Sequence, residues 1–558
     1  MIQNCTQCSA QFEITDNDLK FYDDISPIFN GKKETIPPPT FCPDCRQQRR
    51  MMMRNSSKLY HRKSDLSGKQ IVSIYSADKP YKVYDQEEWW SDQWDPLAYG
   101  RDFDFSRNFT EQLSELSLLV PRISLNTTNT ENSYYTNHTL NVKNSYLLFG
   151  GGNDEDCLFG NYVSNSKDAV DALSLNECEW CYEGIASQDC NRCMYFMDCR
   201  NCTECLFVEE CQSCNDCILC FGLNRKEHCF MNEYLGKEGM EKKRKEIGEL
   251  TPQTIAVMRR ELEALKARSI HRQSHIFGSE NCTGDMIANS KDCKHCFDIS
   301  DCENCTYVSF TPRGHNSHDA TFTSPEGVEW DYEVCSTVGC PSSMATFMVW
   351  YGDRIYYSMH CHHCKDCFGC VGLKQKQYCI LNKQYTKEEY EALVPKIIDH
   401  MRSCKEWGEY LHPSLSAFGY NEMIAAEYFP MTKEQVEARG WKWHTDEREQ
   451  ENYMGPVVEP PATISQTTDY ICQQILRCEI TGKPFKIIPQ ELKFYRAMQI
   501  PIPRKCPEQR HKERMEHRNP RKLWKRNCSK CGKEMETTYS PERTEIVYCE
   551  SCYLETVY

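Results

Sequence analysis

From Ser133 to Cys229 the alternation of small, apolar and polar positions repeats every twelve residues. One column runs Ser133, Ser145, Cys157, Ala169, Cys181, Cys193, Cys205, Cys217, Cys229. Three residues earlier stands a second: Thr130, Val142, Asp154, Ser166, Cys178, Cys190, Cys202, Cys214, Lys226. Just after the first column come Tyr134, Tyr146, Leu158, Val170, Tyr182, Met194, Leu206, Ile218 and Phe230. A fixed short period marks an array in which each unit buries its core only against the next. Twelve residues are too few for a helical repeat and suit one rung of a two-sided β-solenoid, with neighbouring rungs about 4.8 Å apart.

The pattern returns further on. Cys361, Cys364, Cys367, Cys370 and Cys379 follow Cys211, Cys214, Cys217, Cys220 and Cys229 at a constant offset, as Asn382 follows Asn232. A charged helical segment, Glu238–Ser269, follows the first array and restarts at Thr251-Pro252; a Thr386/Glu389 capping box opens a helix after the second. Residues 306–350 do not fit the period. The expected fold is mainly β with accessory α: a duplicated β-solenoid of twelve-residue rungs flanked by zinc-ribbon modules. Its units are 1–62, an N-terminal ribbon; 63–125, an aromatic-rich connector with a degenerate second ribbon; 126–270 and 271–410, two solenoid copies, each with a covering helix; 411–470, a connector; 471–526, a degenerate ribbon with a basic helix; and 527–558, a C-terminal ribbon.

Ser and Ala stand in for Cys within one column, so that position asks for a small side chain, and a free thiol packs as one. Paired rungs could instead gather four thiolates around a metal, or bridge as stacked disulfides. All three readings fit the spacing, with reduced inward thiols ahead. The chain has 37 cysteines in 558 residues and a net charge of −15. Its opening, MIQNCTQC, lacks a basic region followed by an apolar core, and no eighteen apolar residues run together. A reducing cytoplasm, with no membrane partner, is the expectation.

The two ends carry the clearest chemistry. Cys5, Cys8, Cys42 and Cys45 form two CxxC knuckles, as do Cys528, Cys531, Cys549 and Cys552. Each set supplies four thiolates for a tetrahedral Zn²⁺, giving about two zinc ions per chain. The ends are also copies of one another: Cys478 aligns with Cys5, Leu492-Lys493-Phe494-Tyr495 with Leu19-Lys20-Phe21-Tyr22, and Cys506-Pro507 with Cys42-Pro43. In the C-terminal copy Thr481 and Gln509 replace two ligands of the first site, leaving Cys472 or His511 as conceivable substitutes. In the N-terminal copy the second site reads Ser64, Ser67, Asp85 and Glu88. The segment Cys5-x-x-Cys8…Phe12…Leu19-Lys20-Phe21-Tyr22…Pro39…Cys42-Pro43-x-Cys45-Arg46 resembles a small zinc-ribbon domain family found as short bacterial modules. That resemblance implies a treble-clef or ribbon-like zinc fold and no defined activity. The whole order of ribbon, Cys-rich repeat and ribbon resembles large Cys-rich repeat proteins of uncultivated bacterial lineages.

Behind each CP knuckle lies a basic run, including Arg46, Arg49, Arg50 and Arg54 at one end and Arg510, Arg514, Arg518 and Arg521 at the other. Such arginines could follow a phosphate backbone or pair with this acidic chain's own carboxylates. No P-loop, GxGxxG after a strand, GxSxG or HExxH occurs. His360, His362 and His363 beside Cys361 and Cys364 make the best catalytic-looking cluster, and a structural role is the stronger reading. The functional expectation is a non-catalytic zinc-binding scaffold with an RNA, ribosomal or protein partner. A thiol-rich redox or metal-buffering protein stands second, and an enzyme using a solenoid face third.

Overall fold

The computed structural model describes residues 1–323, 326–445 and 456–557. Part of the 411–470 connector thus lies outside the described residues. The chain is mainly β with accessory helices, and two large sheets of twelve and eleven strands dominate it. Within each, successive strands run parallel at an offset of twelve residues, as in Met194↔Leu206, Leu206↔Ile218 and Cys367↔Cys379. A parallel partner twelve residues away obliges the chain to turn once per repeat.

The turn has four corners rather than the two sides expected. A left-handed residue recurs at every third position, for example Asp189, Arg192, Tyr195, Asp198 and Asn201. Each repeat therefore has four sides of three residues, and one residue per side points inward. Ten-residue strands such as Tyr146–Glu155 and Glu179–Gln188 run around corners. They pair with different strands on different sides, linking five strands into a closed ring of parallel pairings.

Backbone accounting explains the inward columns. On one side Asn191 donates its N–H to Cys202 O (2.9 Å) and Arg192 donates to Glu179 O (3.0 Å). The third N–H, on the inward residue, faces the interior, where an orphaned donor would be costly. At several repeats a short side chain one repeat earlier accepts it. Ser145 Oγ takes Cys157 N–H at 3.1 Å, Ser187 Oγ takes Cys199 N–H at 3.0 Å, and Cys340 Sγ takes Gly352 N–H at 2.8 Å. The inward thiol in turn donates to carbonyls, as Cys193 does to Asn191 O and Cys202 O, both at 3.4 Å. Ser and Cys share columns because both are small and both can donate and accept. All the cysteines are free, and those inside the first sheet, Cys157 to Cys229, are at most 3% exposed.

The apolar residues following the first column face outward. Leu158, Val170, Tyr182, Leu206 and Ile218 join a separate core with Met240, Met258, Leu262 and Tyr495. Helix Pro252–Lys266 covers this wall, its start capped by Thr251 Oγ1 accepting Thr254 N–H at 3.1 Å. Each ladder ends in an asparagine: Asn232 accepts from Phe221 N and donates to Phe221 O, both at 2.9 Å, and Asn382 does the same to Val371 at 2.8 and 2.7 Å. A side-chain amide thus replaces the peptide of a missing next turn. The stretch 306–350 continues the second ladder, but His318 pairs with Tyr332 at an offset of fourteen before the twelve-residue step resumes at Tyr332↔Met344. That two-residue insertion hides the period from the sequence.

Candidate metal centres

Both terminal four-cysteine sets converge, with the sulfurs of each within 4.8 Å of one another. In the first, Cys5 follows strand Ile2–Asn4, and its N–H donates to Ala10 O (2.9 Å) while its carbonyl accepts Ser9 N–H (2.9 Å). Ser9 is left-handed at φ 63°. Cys42 caps helix Pro43–Met51, whose first turn supplies Cys45. The turn and the helix start bring Cys8 Sγ to 3.6 Å from Cys42 Sγ. The second set repeats this: Cys528 N–H donates to Lys533 O, Gly532 N–H donates to Cys528 O, both at 2.9 Å, and Cys549 precedes helix Glu550–Val557. Cys531 Sγ lies 3.7 Å from Cys549 Sγ. A tetrahedral ion with Zn–S bonds of about 2.3 Å separates its sulfurs by roughly 3.8 Å, so both sets fit zinc without rearrangement.

The electrostatics also suit a cation. Cys42 is lowered to about 5, chiefly by a hydrogen bond from Cys45 and against its burial. At Cys528 burial pushes the thiol up, but the amides of Cys531, Cys549 and Lys530 outweigh it and bring it to about 6. Cys549 N–H and Lys530 N–H lie 3.2 and 3.4 Å from Cys528 Sγ, the kind of support around the ligands that a closed site needs.

The eroded sites keep the same backbone. Ser64 and Cys478 each donate N–H to the carbonyl five residues on, at 2.8 Å, and accept from Gly68 and Gly482 at 2.9 Å. Both glycines are left-handed, at φ 78° and 71°, as Gly532 is at 76°. Asp85 and Cys506 cap the following helices. Where the ligands are lost, hydrogen bonds close the gap. Ser64 donates to Glu88, and Ser64 Oγ and Glu88 Oε2 accept Asp85 N–H at 3.4 and 3.2 Å. At the other site Thr481 Oγ1 lies 3.8 Å from Cys506 Sγ. Among the described residues neither Cys472 nor His511 completes a ligand set there.

The eight arginines of the basic runs are buried or nearly so. Arg46 and Arg50 are 1% and 0% exposed. Arg46 Nε lies 3.0 Å from Asp319, and Arg50 Nη1 lies 2.8 Å from both Asp319 and Glu333. Arg49 pairs with Glu409 at 3.1 Å, and Arg54 donates to Ser336 at 2.7 Å. At the other end Arg510 and Arg514 lie 2.6 and 2.9 Å from Asp171, while Arg518 and Arg521 share Asp298. The reading of these eight as a phosphate-tracking surface is therefore corrected. Helical spacing puts Arg46 and Arg50, and likewise Arg510 and Arg514, on one helix face, and that face packs on acidic corners of the ladders.

His360 and His362 are likewise buried, at 4% and 1% exposure, and belong to no metal-holding group among the described residues. His362 packs between Trp89, Trp90 and Trp350. Burial drives both imidazoles below their ordinary range. Among the coil cysteines of the described residues, no three bring their sulfurs within 4.8 Å of one another. The four-cornered coil and its amide-accepting side chains escaped the sequence reading, although polar residues recurring every third position were a visible sign of the corners.

No protein family matches the chain, and no curated protein does. One solved structure, assigned provisionally as an acetyltransferase from Desulfovibrio desulfuricans, aligns over 50% of this chain and 81% of its own at 11% identity. Its TM-score of 0.09 is too low to carry an argument.

Proposed function

We propose that this chain is a non-catalytic, zinc-stabilised scaffold: a duplicated β-solenoid held together by zinc-ribbon clasps and presenting its coil surfaces to a partner. The observation that carries this reading is the way each ribbon helix meets a ladder. Arg46 and Arg50 converge on Asp319, and Arg510 and Arg514 on Asp171, with both aspartates 0% exposed. Modules whose charged faces are consumed inside the molecule hold a structure together. An RNA-tracking role is left without its arginines. The ribbons and the ladders then divide the work: four thiolates fix each short terminal fold that has little core of its own, and the helix behind the first passes that order to the ladder.

Chelation of zinc from the intact chain tests the reading. Hydrogen exchange should rise in helix Pro43–Met51 and around Cys528–Cys552, while amides in the ladder interior stay protected. Unchanged exchange at both ends, with zinc demonstrably removed, would show that zinc does not secure the ribbons. A rival reading as a thiol-rich redox or metal-buffering protein requires the coil thiols to react quickly. The burial of all of them but Cys282, and their hydrogen bonding to carbonyls, argue for slow alkylation in the native state.

A further inference from the structure

A groove of about 700 Å³ opens along one corner of the second ladder, between the N-terminal ribbon's Asp24–Phe29 and the start of helix Lys387–Ser403. Its floor is a single file of corner residues twelve apart, Trp330, Ser342, Arg354, Asp366 and Tyr378, all left-handed with φ between 47° and 57°. Rungs about 4.8 Å apart put the two aromatic ends of this file roughly 19 Å from each other. Between them Arg354 makes a two-pronged pair with Asp366, Nε to Oδ1 at 2.7 Å and Nη2 to Oδ2 at 3.1 Å. The result is an elongated trough with an aromatic side chain at each end and an ion pair at its centre.

We propose that this groove binds a short neutral oligosaccharide. Charge decides against an anion. Arg354 is also 2.8 Å from Asp353, Lys365 lies 3.2 Å from Asp353, and Lys387 lies 3.7 Å from Glu391, so the cations lining the groove are paired. A wholly apolar ligand would strand the central ion pair against hydrocarbon. An extended peptide adding a strand finds no free edge here, because the floor's amides are engaged between coils, Arg354 N with Pro341 O at 3.2 Å and Asp353 N with Cys364 O at 3.0 Å. A sugar chain satisfies each feature: its C–H faces stack on Trp330 and Tyr378, and its hydroxyls both donate to carboxylate and accept from guanidinium. Tyr390, which lines the groove and is 1% exposed, keeps a hydroxyl with no hydrogen-bond partner.

Calorimetric titration of the full chain with maltotetraose, cellotetraose, xylotetraose and chitotetraose tests this, with tetragalacturonate as the acidic control. At least one neutral tetrasaccharide should bind with a Kd between about 1 μM and 1 mM. Trp330→Ala should weaken it at least roughly tenfold, with Trp330→Phe retaining part of the affinity, and Asp366→Asn should also weaken it. Tyr134→Ala, on the other ladder, should leave it unchanged. Circular dichroism of each variant separates a lost site from a lost fold. The proposal is overturned if no neutral tetrasaccharide binds, if tetragalacturonate binds better, or if a well-folded Trp330→Ala chain binds as the parent does.

Discussion

The two ends of the molecule carry the same clasp in different chemical states. At the N-terminal end the helix bearing Arg46 and Arg50 starts at Cys42 of an intact four-thiolate set and docks on Asp319 of the second ladder. At the C-terminal end the helix bearing Arg510 and Arg514 starts at Cys506 of an eroded set and docks on Asp171 of the first ladder. Each ribbon thus reaches across to the ladder farther from it in sequence. In each clasp a second carboxylate stands behind the aspartate, Glu333 in one and Glu491 in the other. The clasp persists where two of the four cysteines are replaced because the buried ion pairs and the knuckle's own hydrogen bonds remain. The four-thiolate set and the clasp are therefore separable: the cysteines converge on a local turn, and the arginines secure the docking.

Removing the shared aspartate should break either clasp. Asp319→Ala and Asp171→Ala each remove the carboxylate that two buried guanidinium groups share, and each should cost about 3–5 kcal/mol in denaturant unfolding. Similar losses from both would support equivalent clasps despite their different metal states. A near-neutral result at Asp171 would mean that the metal-free clasp is held by packing alone.

The ladder ends sharpen the comparison next. Asn382→Ala and Asn232→Ala remove two backbone-capping hydrogen bonds apiece, and each is expected to cost about 1–3 kcal/mol. Hydrogen exchange should localise the loosening to the final turn. Asn382 is buried while Asn232 is exposed, so the former should cost more. An equal or reversed order would contradict the capping account. Within the coil, Cys340→Ala orphans the Gly352 amide and should cost on the order of 1–2 kcal/mol, whereas Cys340→Ser keeps an acceptor and should cost less. Ser behaving no better than Ala would mean that the thiols only fill space.

The smallest effect is in pH. Burial, the largest cause in each case, raises Glu333 to about 7 and Glu491 to about 7. The folded chain then holds protons that the unfolded chain, with glutamates near 4.3, has released, so their contribution falls as pH rises from about 4.3 to about 7 and is flat above. Glu333→Gln and Glu491→Gln should each flatten part of that slope in pH-dependent unfolding. A slope unaltered in both variants would remove these residues from the account.

Much of this architecture was legible in the chain. Substitution of Ser133, Ser145 and Ala169 into the Cys181–Cys229 column marked it as a row of small inward groups, and the two intact thiolate sets were evident from spacing alone. The likeness of Cys478 to Cys5 identified the eroded site. What the sequence concealed was direction and docking. Arg510 and Arg514 look the same whether they meet phosphate or Asp171, because their partner lies more than three hundred residues away. The Tyr146–Ile218 column reads as core in either direction, and only the four-cornered backbone turns it outward. The insertion before Tyr332 broke the period just where cysteines thin out.

Zinc content of the purified chain, by elemental analysis alongside the Cys42→Ser/Cys45→Ser double variant, tests the central claim most directly. The two intact four-cysteine sets, Cys5–Cys45 and Cys528–Cys552, predict about two zinc ions per parent chain and about one in the variant, with the circular dichroism of the ladders retained. No zinc in the parent would contradict it, as would five or more ions per chain, or a variant that keeps its full complement.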